Sequence, residues 1–128
     1  MSEFPKPPST EVPTTRDKFN AWLTILGARR MSAALGFKDL EIVRKVAEGD
    51  GVLPIILSQQ VEMLDDARQR VAAVYGESTA VFFMTQPNPY AGYRMPLEHI
   101  ADAAHNPEGA QQALDSALNS FLSVQVHI

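Results

Sequence analysis

Three histidines, His99, His105 and His127, and the adjacent carboxylates Asp65 and Asp66 are the residues of this chain on which metal binding or acid–base catalysis would draw. The histidines lie six and twenty-two positions apart, whereas two imidazoles share one helix face, and one metal, at i, i+4. Asp65 and Asp66 follow one another, so on a helix they point about 100° apart and do not face each other as a catalytic acid pair must. The absence of cysteine removes thiol nucleophiles, cysteine-ligated zinc and disulfides together, and fits a reducing compartment. The chain has no glycine-rich phosphate loop and no G-x-S-x-G elbow, so the inventory points away from catalysis, metals and cofactors. His99 reads as a helix-surface or half-buried residue.

Recognition chemistry is better supplied. The stretch TQPNPYAGYRMPLEHI, residues 85–100, packs three prolines and a glycine between two helical regions. Such residues preset a bend and lower the ordering cost of docking. Within it, Asn88 and Arg94 offer directional hydrogen bonds, and Tyr90 and Tyr93 are the amphipathic aromatics that concentrate interface energy. The same residues also fit a plain corner, with Asn88 capping a turn, Arg94 paired to an acid such as Glu98, and the tyrosines packed locally. Upstream, Arg29, Arg30, Lys38, Arg44 and Lys45 cluster where cations could meet phosphate. Asp39 and Glu41 lie at the start of the same helix and oppose phosphate, so a solvated charged face stands beside a nucleic-acid face.

The elements that must position these residues are helices, and the fold class is all-α. Residues 2–15 hold four prolines and little apolar bulk, so they read as a flexible tail that cannot repay the entropy of ordering. Thr14 or Thr15 caps a first helix in which Phe19, Trp22, Leu23 and Leu26 recur at helical spacing up to Gly27. Ala28–Gly36, a glycine turn and LEIVRKVAEG then outline a helix-turn-helix closing at Gly49. A long helix from about Pro54 to Tyr75 carries the stripe Leu57, Val61, Leu64, Ala67 or Arg68, Val71 and Val74. A short helix from Glu77 to Thr85 contains AVFFM, apolar almost all round and expected at the centre of the core. Pro96 starts a helix to about Ala104, and Asn106-Pro107-Glu108 caps a last one to about Leu122 with Ala110, Ala113, Leu114, Ala117, Leu118 and Phe121 on its stripe. SVQVHI, residues 123–128, alternates, so it reads as a short strand or a docked end.

A chain of 128 residues matches one ordinary domain and needs no metal or disulfide to hold a core. Its net charge of −4 is unevenly spread: eight Lys/Arg against seven acids in residues 1–50, three against eight in 51–128. Local cations in the first half can meet phosphate, while the second half repels it. With no secretory pattern and no apolar run of about 20 residues, the expected location is the cytoplasm, away from membranes.

Residues 53–122 resemble the C-terminal toxin-binding part of the Xre/MbcA/ParS antitoxin family. The likeness is carried by a long helix, a short apolar helix, the ordered signature N-P-x-x-G-x-R-x-P-L at Asn88, Pro89, Gly92, Arg94, Pro96 and Leu97, and N-P-E-G-A before the final helix. The upstream ARRMSAALGFKDLEIVRKVAEGDGVLP is similar to that family's DNA-binding part. Met95 stands where the family often has Ser or Thr, and Lys45-Val46 where a Trp commonly follows the Arg.

The resemblance implies an organisation into residues 1–15 as a tail, 16–52 as the helix-turn-helix part and 53–128 as the toxin-binding part. It further implies an antitoxin of a type II toxin–antitoxin system, partnered with a RES-domain toxin that destroys NAD. Toxin contacts would fall on Asn88, Pro89, Tyr90, Gly92, Tyr93, Arg94, Pro96 and Leu97, and operator contacts on Arg29, Arg30, Lys38, Arg44 and Lys45. Paired half-sites on DNA would call for a homodimer. The rival reading is a stand-alone helix-turn-helix regulator whose C-terminal half only dimerises.

Overall fold

Local capping rules set where the chain turns helical. In the computed structural model, which describes residues 14–37, 39–49, 53–88 and 94–126, there are six helices among the described residues. They are α1 (Thr15–Leu35), α2 (Leu40–Glu48), α3 (Ile55–Tyr75), α4 (Glu77–Thr85), α5 (Pro96–Asp102) and α6 (Pro107–Val126). No named strand occurs among the described residues, and the class is all-α. The chain divides into two compact units, Met1–Glu62 and Met63–Ile128, with α3 passing from one to the other.

In the first unit, Thr14 and Asp17 form a reciprocal capping box. The Thr14 hydroxyl accepts the Asp17 N–H at 3.1 Å and the Asp17 carboxylate accepts the Thr14 N–H at 3.0 Å. Thr14 and Thr15 therefore open the helix rather than closing the tail; residues 1–13 lie outside the described ones. Phe19, Trp22 and Leu26 are buried on one face, and past the Gly27 kink so are Met31, Ala34 and Leu35, while Arg29 and Arg30 are exposed. Full burial of a side chain such as Phe19 or Leu35 contributes about 1.5–3 kcal/mol. The kink itself has a backbone cause. Gly27 adopts φ 83°, ψ 163°, a region essentially reserved for glycine.

Gly36 ends α1 with its N–H on the Ser32 and Ala33 carbonyls, and the Phe37 N–H returns to the Ser32 carbonyl at 2.9 Å. Asp39 then caps α2, its carboxylate accepting the Glu41 N–H at 3.0 Å. That helix packs on α1 and buries Val43. The Arg16 guanidinium donates to the Val46 carbonyl at 2.6 Å. The start of α3 is tied to α1 by Gln60, whose amide donates to the Leu35 carbonyl at 3.1 Å, and by Lys18 on Glu62 at 2.7 Å. These bonds hold the first two turns of α3 within the first unit.

In the second unit, α5 packs against both α4 and α6. The α3 stripe is buried through Leu64, Ala67 and Val71, but Val74 is exposed, contrary to the expected pattern. Its neighbour Tyr75 takes the inward contact instead, edge-on to Phe121 with ring centroids 6.1 Å apart. Gly76, at φ 92°, ψ 170°, turns the chain into α4 in the same glycine-only region as Gly27. Within AVFFM, Ala80, Phe83 and Met84 are buried and Phe83 lies 4.9 Å from Phe121. Phe82, however, is 59% exposed, so the segment is not apolar core all round. Successive helical residues point about 100° apart, and the neighbours cover one side only.

Asn106 caps α6 through its side chain, which accepts the Gly109 N–H at 3.1 Å. Ala110, Leu114, Ala117 and Leu118 are buried. The helix continues to Val126, which corrects the reading of Ser123–Val126 as strand or docked end; His127 and Ile128 lie outside the described residues. Alternation over so few positions is a weak signal when no proline or glycine stops the preceding helix.

Candidate partner-binding site

The bend between α4 and α5 is pinned at its base. The Asn88 N–H donates to the Arg94 carbonyl at 3.0 Å, forming an isolated antiparallel bridge that brings the two ends of the intervening segment together. Pro89, Tyr90, Gly92 and Tyr93 lie outside the described residues. Of the other signature positions, Asn88, Pro96 and Leu97 are buried, and the Arg94 side chain is 42% exposed. Asn88, Pro96 and Leu97 thus shape the corner, while Arg94 is the described signature residue that reaches solvent.

Arg94 is held from two sides. Its Nη1 lies 2.8 Å from Asp102 Oδ2 and its Nε 3.4 Å from Glu98 Oε2. Glu98 also accepts the Met95 N–H at 3.0 Å, closing the first turn of α5 from below. The local corner reading, in which Arg94 pairs with Glu98, is therefore part of the geometry. It leaves the guanidinium half-exposed and oriented by two carboxylates, a state in which a bidentate donor loses little freedom on meeting another acceptor.

His99 lies on the inner side of this corner and corrects the expectation of a surface or half-buried residue. It is 4% exposed, and its Nε2 is buried with no hydrogen-bond partner among the described residues. Burial pushes the imidazole below its ordinary value and the nearby Arg94 charge adds to this, while Asp102 and Glu98 pull the other way. No periodicity in a helix of seven residues could have revealed that burial.

Sequence reading also missed a polar cluster at the other end of α4. Asp65, 2% exposed, accepts from Arg68 Nε at 2.8 Å and Nη2 at 3.3 Å and from Gln69 Nε2 at 2.8 Å. Arg68 Nη1 reaches both carboxylate oxygens of Glu77, at 2.7 and 2.9 Å. One guanidinium thus joins α3 to the first turn of α4 across the Gly76 break. The spacing Asp65–Arg68 is an ordinary i, i+3 pair, and the partner at Glu77 appears only once the chain has turned.

The cationic residues occupy the first unit. Arg29, Arg30 and Lys45 are exposed, Lys38 lies outside the described residues, and Arg44 is paired with Glu41 at 2.8 Å, both about 60% exposed. Asp39 serves as the α2 cap and Glu41 as the partner of Arg44. Both acids thus have local work that also lowers the positive potential at the start of α2.

No group of three or more side chains among the described residues could hold a metal ion, and no described helix is long and apolar enough to cross a membrane. No protein-family model, curated protein or solved structure matches the chain.

Proposed function

We propose that the protein is an antitoxin that neutralises its toxin by binding, through the bend between α4 and α5, and does no catalysis of its own. The observation that carries the reading is the bridge between Asn88 and Arg94, which holds the two ends of the bend together beneath a half-exposed guanidinium. A bend closed at its base keeps the ordering cost of docking low, and Tyr90, Tyr93 and Arg94 supply the residue types that dominate interface energy. Following the resemblance, the partner is a RES-type NAD-degrading toxin whose active site is covered in a cytoplasmic complex. Autorepression of the operon by a homodimer, through Arg29, Arg30, Lys38, Arg44 and Lys45, is the second and separable activity. The rival reading, a stand-alone regulator, shares the exposed cations of the first unit but gives the bend no partner.

Co-expression with the neighbouring reading frame, followed by purification through a tag on this chain alone, tests the proposal. The expected result is a stable complex of the two products and rescue of growth from the neighbour's toxicity. Failure to co-purify, with a harmless neighbour, would leave the regulator reading in its place.

A further inference from the structure

The first turn of α3 presents an apolar face to water. Ile55 and Ile56 are 76% and 53% exposed, and Pro54 and Gln59 beside them are exposed too, while Leu57, Gln60, Val61 and Leu64 on the opposite side of the helix are buried. A lone exposed isoleucine needs no explanation, but two in one turn do. Acids favour the first turn of a helix, where the free N–H groups concentrate positive charge. Asp17, Glu41, Glu77, Glu98 and Glu108 take that position in α1, α2, α4, α5 and α6. Among the described residues α3 alone has no acid there, and isoleucine stands in its place.

Charge selects what can cover this face. A two-fold contact sets a surface against its own copy, so every unpaired charge in it meets a like charge. No charged residue occurs from Gly51 to Val61, and Glu62, next along the same face as Ile55 and Gln59, is neutralised by Lys18 at 2.7 Å. The first unit, residues 1–62, holds eight Lys/Arg and eight acids, whereas residues 63–128 hold three and seven, so the whole net charge of −4 lies on the second unit. Self-pairing through Phe82 or Val74, the large apolar side chains exposed in the second unit, would work against that repulsion. Self-pairing through Ile55 and Ile56 meets none.

We propose that two copies of the chain associate about a two-fold axis through the Ile55–Ile56 face of α3. The contact is isologous, each copy giving the same uncharged turn. It assigns a face to the homodimer invoked for operator binding but does not rest on that reading, because self-association needs no DNA. A stable interface buries about 800 Å² on each partner, more than one helical turn offers, so the dimer is a weak one that dissociates on dilution, with Kd on the order of 10–100 µM.

Sedimentation velocity of the full-length chain without DNA, from about 1 µM to about 1 mM, brackets such a Kd. The mass is expected to rise from 14.1 kDa toward twice that value over the range. Ile55→Glu puts an acid where helices favour one, so the circular dichroism of the folded chain should be kept, while two like charges oppose each other in the contact and raise Kd about thirtyfold or more. Ile56→Ser is a second, milder variant that should weaken the dimer in the same direction. Phe82→Ser, in the second unit, should leave it unchanged. A chain that stays at 14.1 kDa at every concentration overturns the proposal and leaves the face to a different protein. A dimer that survives Ile55→Glu, or one that Phe82→Ser abolishes, overturns it as well. Affinity for upstream DNA is measured separately: a dimer without it refutes operator binding and leaves the Ile55–Ile56 contact standing.

Discussion

Replacing Arg94 by Gln separates a handle from a corner. The guanidinium makes two ion pairs, and all three side chains are 42–49% exposed. Exposed pairs of this kind are worth about 0.2–1 kcal/mol each, because water screens them and long side chains must be ordered to make them. The main-chain bridge from Asn88 to the Arg94 carbonyl does not need the side chain. The expected loss of folding stability is therefore about 1 kcal/mol. An interface hot spot costs about 2 kcal/mol or more on truncation, roughly thirtyfold in Kd. Urea unfolding followed by circular dichroism gives the first quantity, and calorimetric titration with the purified neighbouring gene product the second. A complex weakened thirtyfold by a variant that unfolds within about 1 kcal/mol of wild type supports the handle. A loss of several kcal/mol in stability, or an unchanged Kd, refutes the reasoning.

Arg68→Met takes the guanidinium away from the Asp65 carboxylate, 2% exposed and otherwise held by the Gln69 amide, and should cost about 3 kcal/mol in urea unfolding. Glu77→Gln, on the 35% exposed arm of the same guanidinium, should cost less than about 1 kcal/mol; similar losses would show that burial does not set the scale. Gly27→Ala and Gly76→Ala meet no atom within 4 Å, so each should lose about 1–3 kcal/mol from backbone strain alone, and a neutral result for either would disprove that origin. Gly109→Ala is different: a Cβ there would collide with the Asn106 side chain that caps α6, so a loss of about 1 kcal/mol should disappear when Asn106 is also replaced by Ala. For the proposed operator binding, affinity for upstream DNA should fall steeply with salt, and Arg29→Ala with Arg30→Ala should flatten that slope by about one unit for each phosphate the variant no longer neutralises.

Much of this protein was legible without coordinates because helix limits are decided within a few residues. The Thr14 capping box, the Gly36 turn, the Asp39 cap, Pro96 in a first turn and Asn106 before Pro107 are local chemistry, and each sits where its residue type predicts. The stripes of α1 and α6 follow from the same 3.6-residue period. Burial at single positions was not legible, because it depends on which neighbour arrives from elsewhere in the chain. Tertiary packing alone decided that Phe82 and Val74 face water, that Asp65 lies under Arg68 and Glu77, and that His99 is enclosed, its Nε2 without a partner among the described residues. A period of 3.6 residues assigns a side chain to a face, but only the element laid against that face removes it from water.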